Sequence, residues 1–528
     1  VRIAIVSNMT MEPLAGKLSG HDVVTTGAGS LLQALVDPTS PAADSSTDVV
    51  VICPDGESIL PPFGSAELVD ELAGLVEAFA VRHPSKFVAV STLLAGSRVP
   101  SSFADVALPG GRFAARVNWD RRLSELALGL PNVGVLDLAG LSQTATEPLT
   151  NDAYWYLGRI RLSTAGFDLV ALEVERMLAG LLSRSRKLLV LDLDNTLWGG
   201  VVGEDGIEGL KLGEDGVGKC FRDFQVHLRA LQACGVLLAV VSKNDHALAE
   251  ETIENHPMMV LRRPDFVAFS ADWTNKADRI VALTADLDLG LDSVVFIDDN
   301  PAERDLVRRT LSDVAVPEFP TRNEHLSSWL TDEVVPTHFP RVRVLEEDSA
   351  KTGNYRARSE RKTAAAAAAT DLDGFIEALQ IELTYYVDDL SLAQRISQLS
   401  QKTNQFNLTT DRRSPAEVTQ LMEAADHRVV ACRYSDRFGD EGIIGAAFLD
   451  VGSARMSNLL LSCRVLGRRV EFALIAEVER LAHESGLGEL TASFVPSDRN
   501  GVAASFLPAA GYRQTVASEG WTGTKGIR

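Results

Sequence analysis

Residues 189–198 read LVLDLDNTLW. The residues before Asp192 are uniformly apolar, as in a buried strand, and the run ends in two carboxylates, Asp192 and Asp194, with only Leu193 between them. Two like charges at the mouth of a sheet repel each other unless a cation or a proton sits between them. A carboxylate that attacks a phosphate group must also approach something already negative, so a divalent metal ion is expected to neutralise the pair. On this reading Asp192 is the nucleophile. Asp194 protonates the leaving oxygen and later deprotonates the water that hydrolyses an aspartyl-phosphate.

The remaining parts of such a mechanism follow in order. Ser242, ending the strand-like VLLAVVS, offers a hydroxyl to a phosphoryl group, and Lys243 and Asn244 complete an S-K-N stretch read with it as phosphate-binding. Lys276 in TNKADRI offers a cation. Asp298 and Asp299 end SVVFIDD and, with Asp192 and Asp194, are expected to hold Mg2+, which takes oxygen ligands. All are predicted at or just after the C-terminal ends of strands, where open α/β sheets place their sites. The pieces D-L-D-N-T, S-K-N, N-K and I-D-D-N-P resemble the haloacid dehalogenase (HAD) superfamily of phosphotransferases. The stretch WGGVVGEDGIEGLKLGEDG after the first piece suggests a small β flap with no room for a large cap, leaving the site open to a bulky or protein-attached substrate.

Strands alternate with helix-length segments on either side of this stretch. RIAIVS, DVVVICP, KFVAVST and VGVLDLAGL predict a parallel α/β layer over residues 1–185, closed by a helix over 166–182. A second α/β unit over 186–340 takes its strands from KLLVLDLD, GVLLAVVSKN, DFVAFSA and DSVVFIDDN. The alanine-rich RKTAAAAAATDLDGFIEAL reads as a helical connector. It belongs to a last unit, 341–528, whose strands (IELTYYV, HRVVACRYSD, GIIGAAFLDV, MSNLLLSCRVL) and helices follow an α+β order. The expected fold class is therefore α/β in three domains.

The 528 residues are 45% hydrophobic and 23% charged, an ordinary globular composition. A formal net charge of −21 argues against a nucleic-acid binder, which needs a basic stripe to displace counterions from phosphates. No window approaches a membrane span, and the start VRIAIVSNMTMEP lacks a signal peptide's apolar stretch, so a cytoplasmic location is expected. The five cysteines include no C-x-x-C pair, which disfavours a disulfide framework or a zinc site.

In the last third, LLLSCRVLGRRVEFALIAEVERLA reads as a strand, a loop and a long helix. Backbone N–H groups at such a helix start can cradle a phosphate. The loop resembles the R-x-x-G-x-G/A loop of GNAT-type acyltransferases, with Arg469 where Gly or Ala is preferred, and RNGVAASFLPAAGY resembles that fold's closing segment. Arg464, Gly467, Arg468 and Arg469 are accordingly read as binding a phosphopantetheine arm. Cys463 precedes the loop in an electropositive neighbourhood that favours thiolate, and is a candidate nucleophile.

Taken whole, the chain resembles the FkbH-like family, HAD-type glyceryl transferase/phosphatases of polyketide pathways. The resemblance rests on YWYLGRIRLSTAGFDLVA, KLLVLDLDNTLWGGVVGEDG, LAVVSKND, VVFIDDNPAER, SQKTNQFNLTT, RFGDEGIIG and LSCRVLGRR. It implies an enzyme that takes D-1,3-bisphosphoglycerate, removes phosphate and loads the glyceryl group as a thioester on an acyl carrier protein. It also implies Asp192 as the attacking carboxylate, Asp194 as acid/base, Ser242 and Lys276 on the phosphoryl group, and Asp298 with Asp299 at Mg2+. No G-x-x-x-x-G-K-[ST] loop occurs, which fits a donor already activated as an acyl phosphate. Arg341, Arg343 and YRARSERK (355–362) form a candidate landing site for an acidic carrier.

The first 150 residues resemble an SGNH-hydrolase layer in which Ser7 and Asn8 sit at a strand end, but Asn151 and Asp152 have no histidine close behind. Docking or stabilisation is expected of this domain rather than chemistry. Two other readings of the whole chain remain open here. One is a simple Mg2+-dependent phosphatase of a small metabolite, the other a non-catalytic scaffold that presents a carrier protein.

Overall fold

The computed structural model describes residues 1–528 except 28, 30, 97–98, 183, 345–347, 349–350, 358–371, 498, 516–520 and 528. The alanine-rich run and the end of the proposed basic landing site lie outside the described residues. The chain divides into two compact units, Val1–Arg184 with Pro340–Val342, and Ser185–Phe339 with Arg343–Arg528. Arg341 and Arg343 thus fall in different units. Among the described residues no helix is long and apolar enough to cross a membrane.

The first unit is built on β1 (Arg2–Val6), β2 (Asp22–Thr25), β3 (Val49–Ile52), β4 (Phe87–Ser91) and β5 (Val133–Leu136). All pair in parallel, in the order β2-β1-β3-β4-β5. Alternate residues of a strand face opposite sides of a sheet. Ala4, Val6, Val50 and Ile52 accordingly pack under the helices Ala66–Arg82 and Arg112–Gly129, while Ile3, Ile5, Val49 and Val51 pack under Thr164–Leu181. Strand β2 was not expected from the sequence, because this four-residue edge strand is never fully buried and has no apolar run to mark it.

The side chains a hydrolase would use in this unit are engaged within the fold. Ser7 Oγ donates to the Cys53 carbonyl at 2.5 Å, and Asn8 Oδ1 accepts from the Asp55 N–H at 2.7 Å. Asn151 caps the helix Asp152–Gly158, and Asp152 pairs with Arg161, whose Nε holds the buried Asp55 at 2.8 Å.

The second unit holds two sheets. The first comprises β6 (Leu188–Leu191), β7 (Leu237–Ser242), β8 (Phe266–Ala271) and β9 (Val294–Ile297), parallel in the order β8-β7-β6-β9. Lys276–Asp286 and Pro301–Thr310 cover one face through Ile280 and Val307. Gly216–Ala233 and His246–Asn255 cover the other through Phe224, Leu228 and Ile253.

The other sheet comprises β10 (Glu382–Val387), β11 (His427–Asp436), β12 (Gly439–Asp450), β13 (Arg455–Leu461), β14 (Glu489–Phe494), β15 (Arg513–Thr515) and β16 (Trp521–Gly526). Its order is β10-β11-β12-β13-β14-β16-β15, antiparallel except where the helix Val470–Glu484 crosses over between β13 and β14. Those two strands pair only at Arg455↔Thr491 and Met456↔Ala492. Beyond that point the stretch NQFNLTT fills the gap between them. Leu408 donates to Leu459 O at 3.1 Å, Leu461 donates to Phe406 O at 2.9 Å, and Val495 donates to Leu408 O at 2.8 Å. Buried Asn500 locks this wedge by donating to the carbonyls of Asn407 and Val495.

Candidate active site

Strands β6 and β9 are neighbours with Leu191 opposite Ile297, so the residues that follow them emerge side by side. The Asp192 N–H continues the ladder onto Ile297 O at 3.0 Å. Asp192 and Asp298 therefore meet at one sheet edge. Lys276, the first residue of its helix after the Asn275 cap, inserts between them, with Nζ 2.8 Å from Asp192 Oδ1 and 2.6 Å from Asp298 Oδ2.

All three of these side chains are at least nine-tenths buried. Burial alone would lower the Lys276 pKa, but the charges of Asp192 and Asp298 outweigh it and raise it, so the ammonium is kept. Asp298 and Asp299 are each pushed up to about 6, by burial first and by the Asp192 charge second. One lysine leaves three carboxylates under-neutralised. Asp192, Asp298 and Asp299 each offer an oxygen within 4.8 Å of the others, a hard-oxygen donor set that fits a small divalent cation.

Asp194 corrects the sequence reading. Its carboxylate stands outside that donor set, because the turn carries it onto other partners. Oδ1 accepts from Trp198 Nε1 at 2.8 Å and from the Val202 N–H at 3.1 Å, and Oδ2 accepts from Asn244 Nδ2 at 2.9 Å. Asn195, at φ +55, makes the turn. Burial raises the Asp194 pKa, opposed by the hydrogen bonds from Val202 and Trp198.

The S-K-N stretch also divides. Ser242 is buried at the end of β7, but Lys243 is committed to Glu303 at 2.6 Å and Asn244 to Asp194, so both side chains read as phosphate-binding hold protein carboxylates here. The segment read as a β flap is a helix, Val202–Gly209, broken at Gly206 and closed at its base by one bridge, Gly199↔Lys211. Trp198 lies wholly inside the core beneath it.

The sequence reading missed three supporting residues. Arg304 Nη1 donates to the carbonyls of Asp298 and Asp299 at 2.8 and 2.7 Å, fixing the β9 turn. Its position one helical turn after the Asn300 cap, inside IDDNPAER, was the available signal. Thr196 Oγ1 accepts from the Asp299 N–H at 3.2 Å. Gln225, fully buried, ties Leu197 O to the N–H groups of Val260 and Leu261, and nothing in its helical surroundings announces that role.

The second candidate region sits on the last sheet. Cys463 is exposed at the start of the turn Cys463–Val465, whereas Cys53 and Cys432 are buried and Cys220 and Cys234 half-buried; all are free thiols. Gly467 at φ +78 and Arg469 at φ +61 shape the entry to the helix Val470–Glu484. The arginines differ from expectation. Arg464 contacts Ser462 Oγ at 2.8 Å and the fully buried Glu441 carboxylate at 3.4 Å. Arg468 donates to Tyr434 OH at 2.9 Å and lies 3.9 Å from the buried Asp436 carboxylate. A buried carboxylate needs a cationic partner, so these two guanidiniums neutralise charge inside the domain rather than standing free for a phosphopantetheine arm.

No family model matches the chain, and no curated protein does. Among solved structures, the N-terminal part of protein BF1531 from Bacteroides fragilis, containing a phosphatase domain complexed with Mg, is 27% identical with a TM-score of 0.60. The alignment covers 65% of this chain and 94% of that one. A GNAT-family acetyltransferase from Streptococcus pneumoniae (14% identical, TM-score 0.22) aligns over 28% of this chain and 100% of its own. The ribosomal-protein-S18-alanine N-acetyltransferase from Escherichia coli (9%, TM-score 0.22) aligns over 28% and 94%. The protein is multidomain α/β, and over 65% of its length it is similar to a solved structure that contains a phosphatase domain.

Proposed function

We propose that the protein is a cytoplasmic, Mg2+-dependent glyceryl transferase and phosphatase that takes D-1,3-bisphosphoglycerate, removes phosphate and loads the glyceryl group as a thioester on an acyl carrier protein. The convergence of Asp192, Asp298 and Asp299 on Lys276 carries the phosphoryl-transfer half of this reading. Mg2+, held by those three carboxylates, would supply the charge neutralisation that lets an anion attack an anion.

The chain's own groups do the rest. The Asp192 carboxylate attacks phosphorus, Asp194 gives a proton to the leaving oxygen and then takes one from water, and the Lys276 ammonium offsets the charge gathered at the nucleophile. For the acyl half, the exposed Cys463 thiol supports a transient enzyme thioester, since an acyl phosphate is activated enough to acylate a thiol without ATP. The family-like segments and the Mg-bound phosphatase neighbour favour this reading. A simple phosphatase is the second reading. It is favoured by the inward pairing of Arg464 and Arg468 and by the wedge that fills the gap between β13 and β14.

One experiment separates them. The protein is incubated with Mg2+, D-1,3-bisphosphoglycerate and candidate carrier proteins, and intact-protein mass spectra are taken. A glyceryl adduct on a carrier supports the transferase, and phosphate release without an adduct supports the phosphatase. Neither product supports a scaffold. Asp192→Asn is expected to abolish turnover. If Cys463→Ala loads the carrier at the original rate, the thioester at that position is wrong.

A further inference from the structure

The three donors on Asp194 come from three places: the indole of Trp198, the first N–H of the flap helix at Val202, and the Asn244 amide just beyond β7. Trp198 is fully buried among Leu193, Leu197, Val202 and Phe221, so its ring cannot turn without disturbing the core. A buried indole N–H must also find an acceptor, and here that acceptor is the Asp194 carboxylate.

An ionised carboxylate has about four acceptor positions, two on each oxygen. Oδ1 has both filled, by Trp198 and Val202, while Oδ2 has one filled by Asn244. One acceptor position remains, and it is on Oδ2. We propose that Trp198 is a positioning residue whose indole N–H fixes the Asp194 carboxylate so that Oδ2 alone exchanges protons with the leaving oxygen and with the hydrolytic water.

This inference rests on the phosphoryl-transfer reading of Asp192 and Asp194. In the first half-reaction an Asp192 oxygen bonds to phosphorus, and the ester oxygen leaves with its electron pair and takes a proton from Oδ2. In the second, water oxygen bonds to phosphorus while Oδ2 accepts its proton. The phosphorus–Asp192 bond then breaks, regenerating the carboxylate and releasing phosphate. Without the indole N–H the Asp194 side chain loses one of the two contacts that hold Oδ1, and with it its aim.

The test uses p-nitrophenyl phosphate, whose leaving group departs without a proton, so that only the second half-reaction needs Asp194. Trp198→Phe retains the aromatic ring and removes the donor. In Mg2+ it is expected to show a burst of nitrophenolate near one per enzyme, and a kcat lowered at least about tenfold. Its kcat/KM should stay within about twofold, because that ratio reports the first half-reaction.

A general loss of site structure would instead lower kcat and kcat/KM together, and either that result or an unchanged kcat overturns the proposal. Asp194→Asn must trap phosphate on Asp192. If no acyl phosphate forms there, the underlying reading fails and the positioning role with it. Should Trp198→Phe not fold, the indole N–H resonances of the six tryptophans decide. Asp194→Asn must displace one of them, and six unmoved resonances overturn the contact.

Discussion

Lys276 Nζ stands 2.6 Å from Asp298 Oδ2, and the same ammonium reaches Asp192 Oδ1 at 2.8 Å. This lysine is the counter-charge for the two most buried acids of the site. Lys276→Met removes it while keeping much of the packing, leaving uncompensated buried carboxylates. The expected outcome is loss of phosphatase turnover by at least about 100-fold. In EDTA, stability should fall by about 3 kcal/mol, recovered in part by added Mg2+. Urea unfolding with and without Mg2+ checks the second effect, and a variant as stable as the parent in EDTA would refute the assignment.

The acids themselves set a pH dependence. Asp298 and Asp299 have folded-state pKa values raised to about 6 from an ordinary 3.8. Between those values the folded, cation-free protein binds more protons than the unfolded chain, so their contribution to stability is fully present below about 4 and is lost as pH rises through 6. In EDTA, Asp299→Asn should therefore be more stable than the parent at pH 7, with the advantage shrinking toward pH 5. Cation binding, which needs both acids ionised, should weaken over the same interval. A stability difference that does not move with pH would sink this account.

Gln225 ties the turn that follows β6 to the segment that precedes β8. Its amide satisfies Leu197 O at 2.7 Å and the N–H groups of Val260 and Leu261 at 2.9 and 3.2 Å, in full burial. Gln225→Leu keeps the volume and leaves all three backbone groups unpaired. A cost of about 3 kcal/mol is expected in denaturant unfolding, because buried groups without partners bear their whole desolvation penalty.

The wedge between β13 and β14 predicts an exchange pattern. Asn500→Ala removes the donors to Asn407 O and Val495 O. Amide hydrogen exchange at Leu408, Leu461 and Val495 should accelerate, while β11 and β12 keep their protection. Uniform acceleration across the sheet would show that the wedge is part of one cooperative unit with it.

Much of the site was legible because chemistry and strand ends coincide. The apolar runs before Asp192, Ser242 and Asp298 mark β6, β7 and β9 directly, and a parallel sheet brings the ends of such runs to one edge whatever the loops between them do. The helices Gly216–Ala233 and Lys276–Asp286 carry their buried apolar residues at helical spacing, Phe221, Phe224 and Leu228 in the first and Ala277, Ile280 and Leu283 in the second. The edge strand β2 was not legible, since half-buried residues leave no contrast to read.

By itself the sequence determined which carboxylates and which lysine share a sheet edge, because that follows from alternation and strand order along one chain. The tertiary structure decided where those side chains point. Asp194 is two residues from Asp192, yet the Asn195 turn and the buried Trp198 take it out of the donor set. Arg464 and Arg468 read as free cations until Glu441 and Asp436 arrive from neighbouring strands, and Asn500 meets Asn407 across 93 residues. Local pattern governs backbone placement, but a side chain turns toward whichever buried donor or charge lacks a partner, and those partners are brought near only when the sheets close.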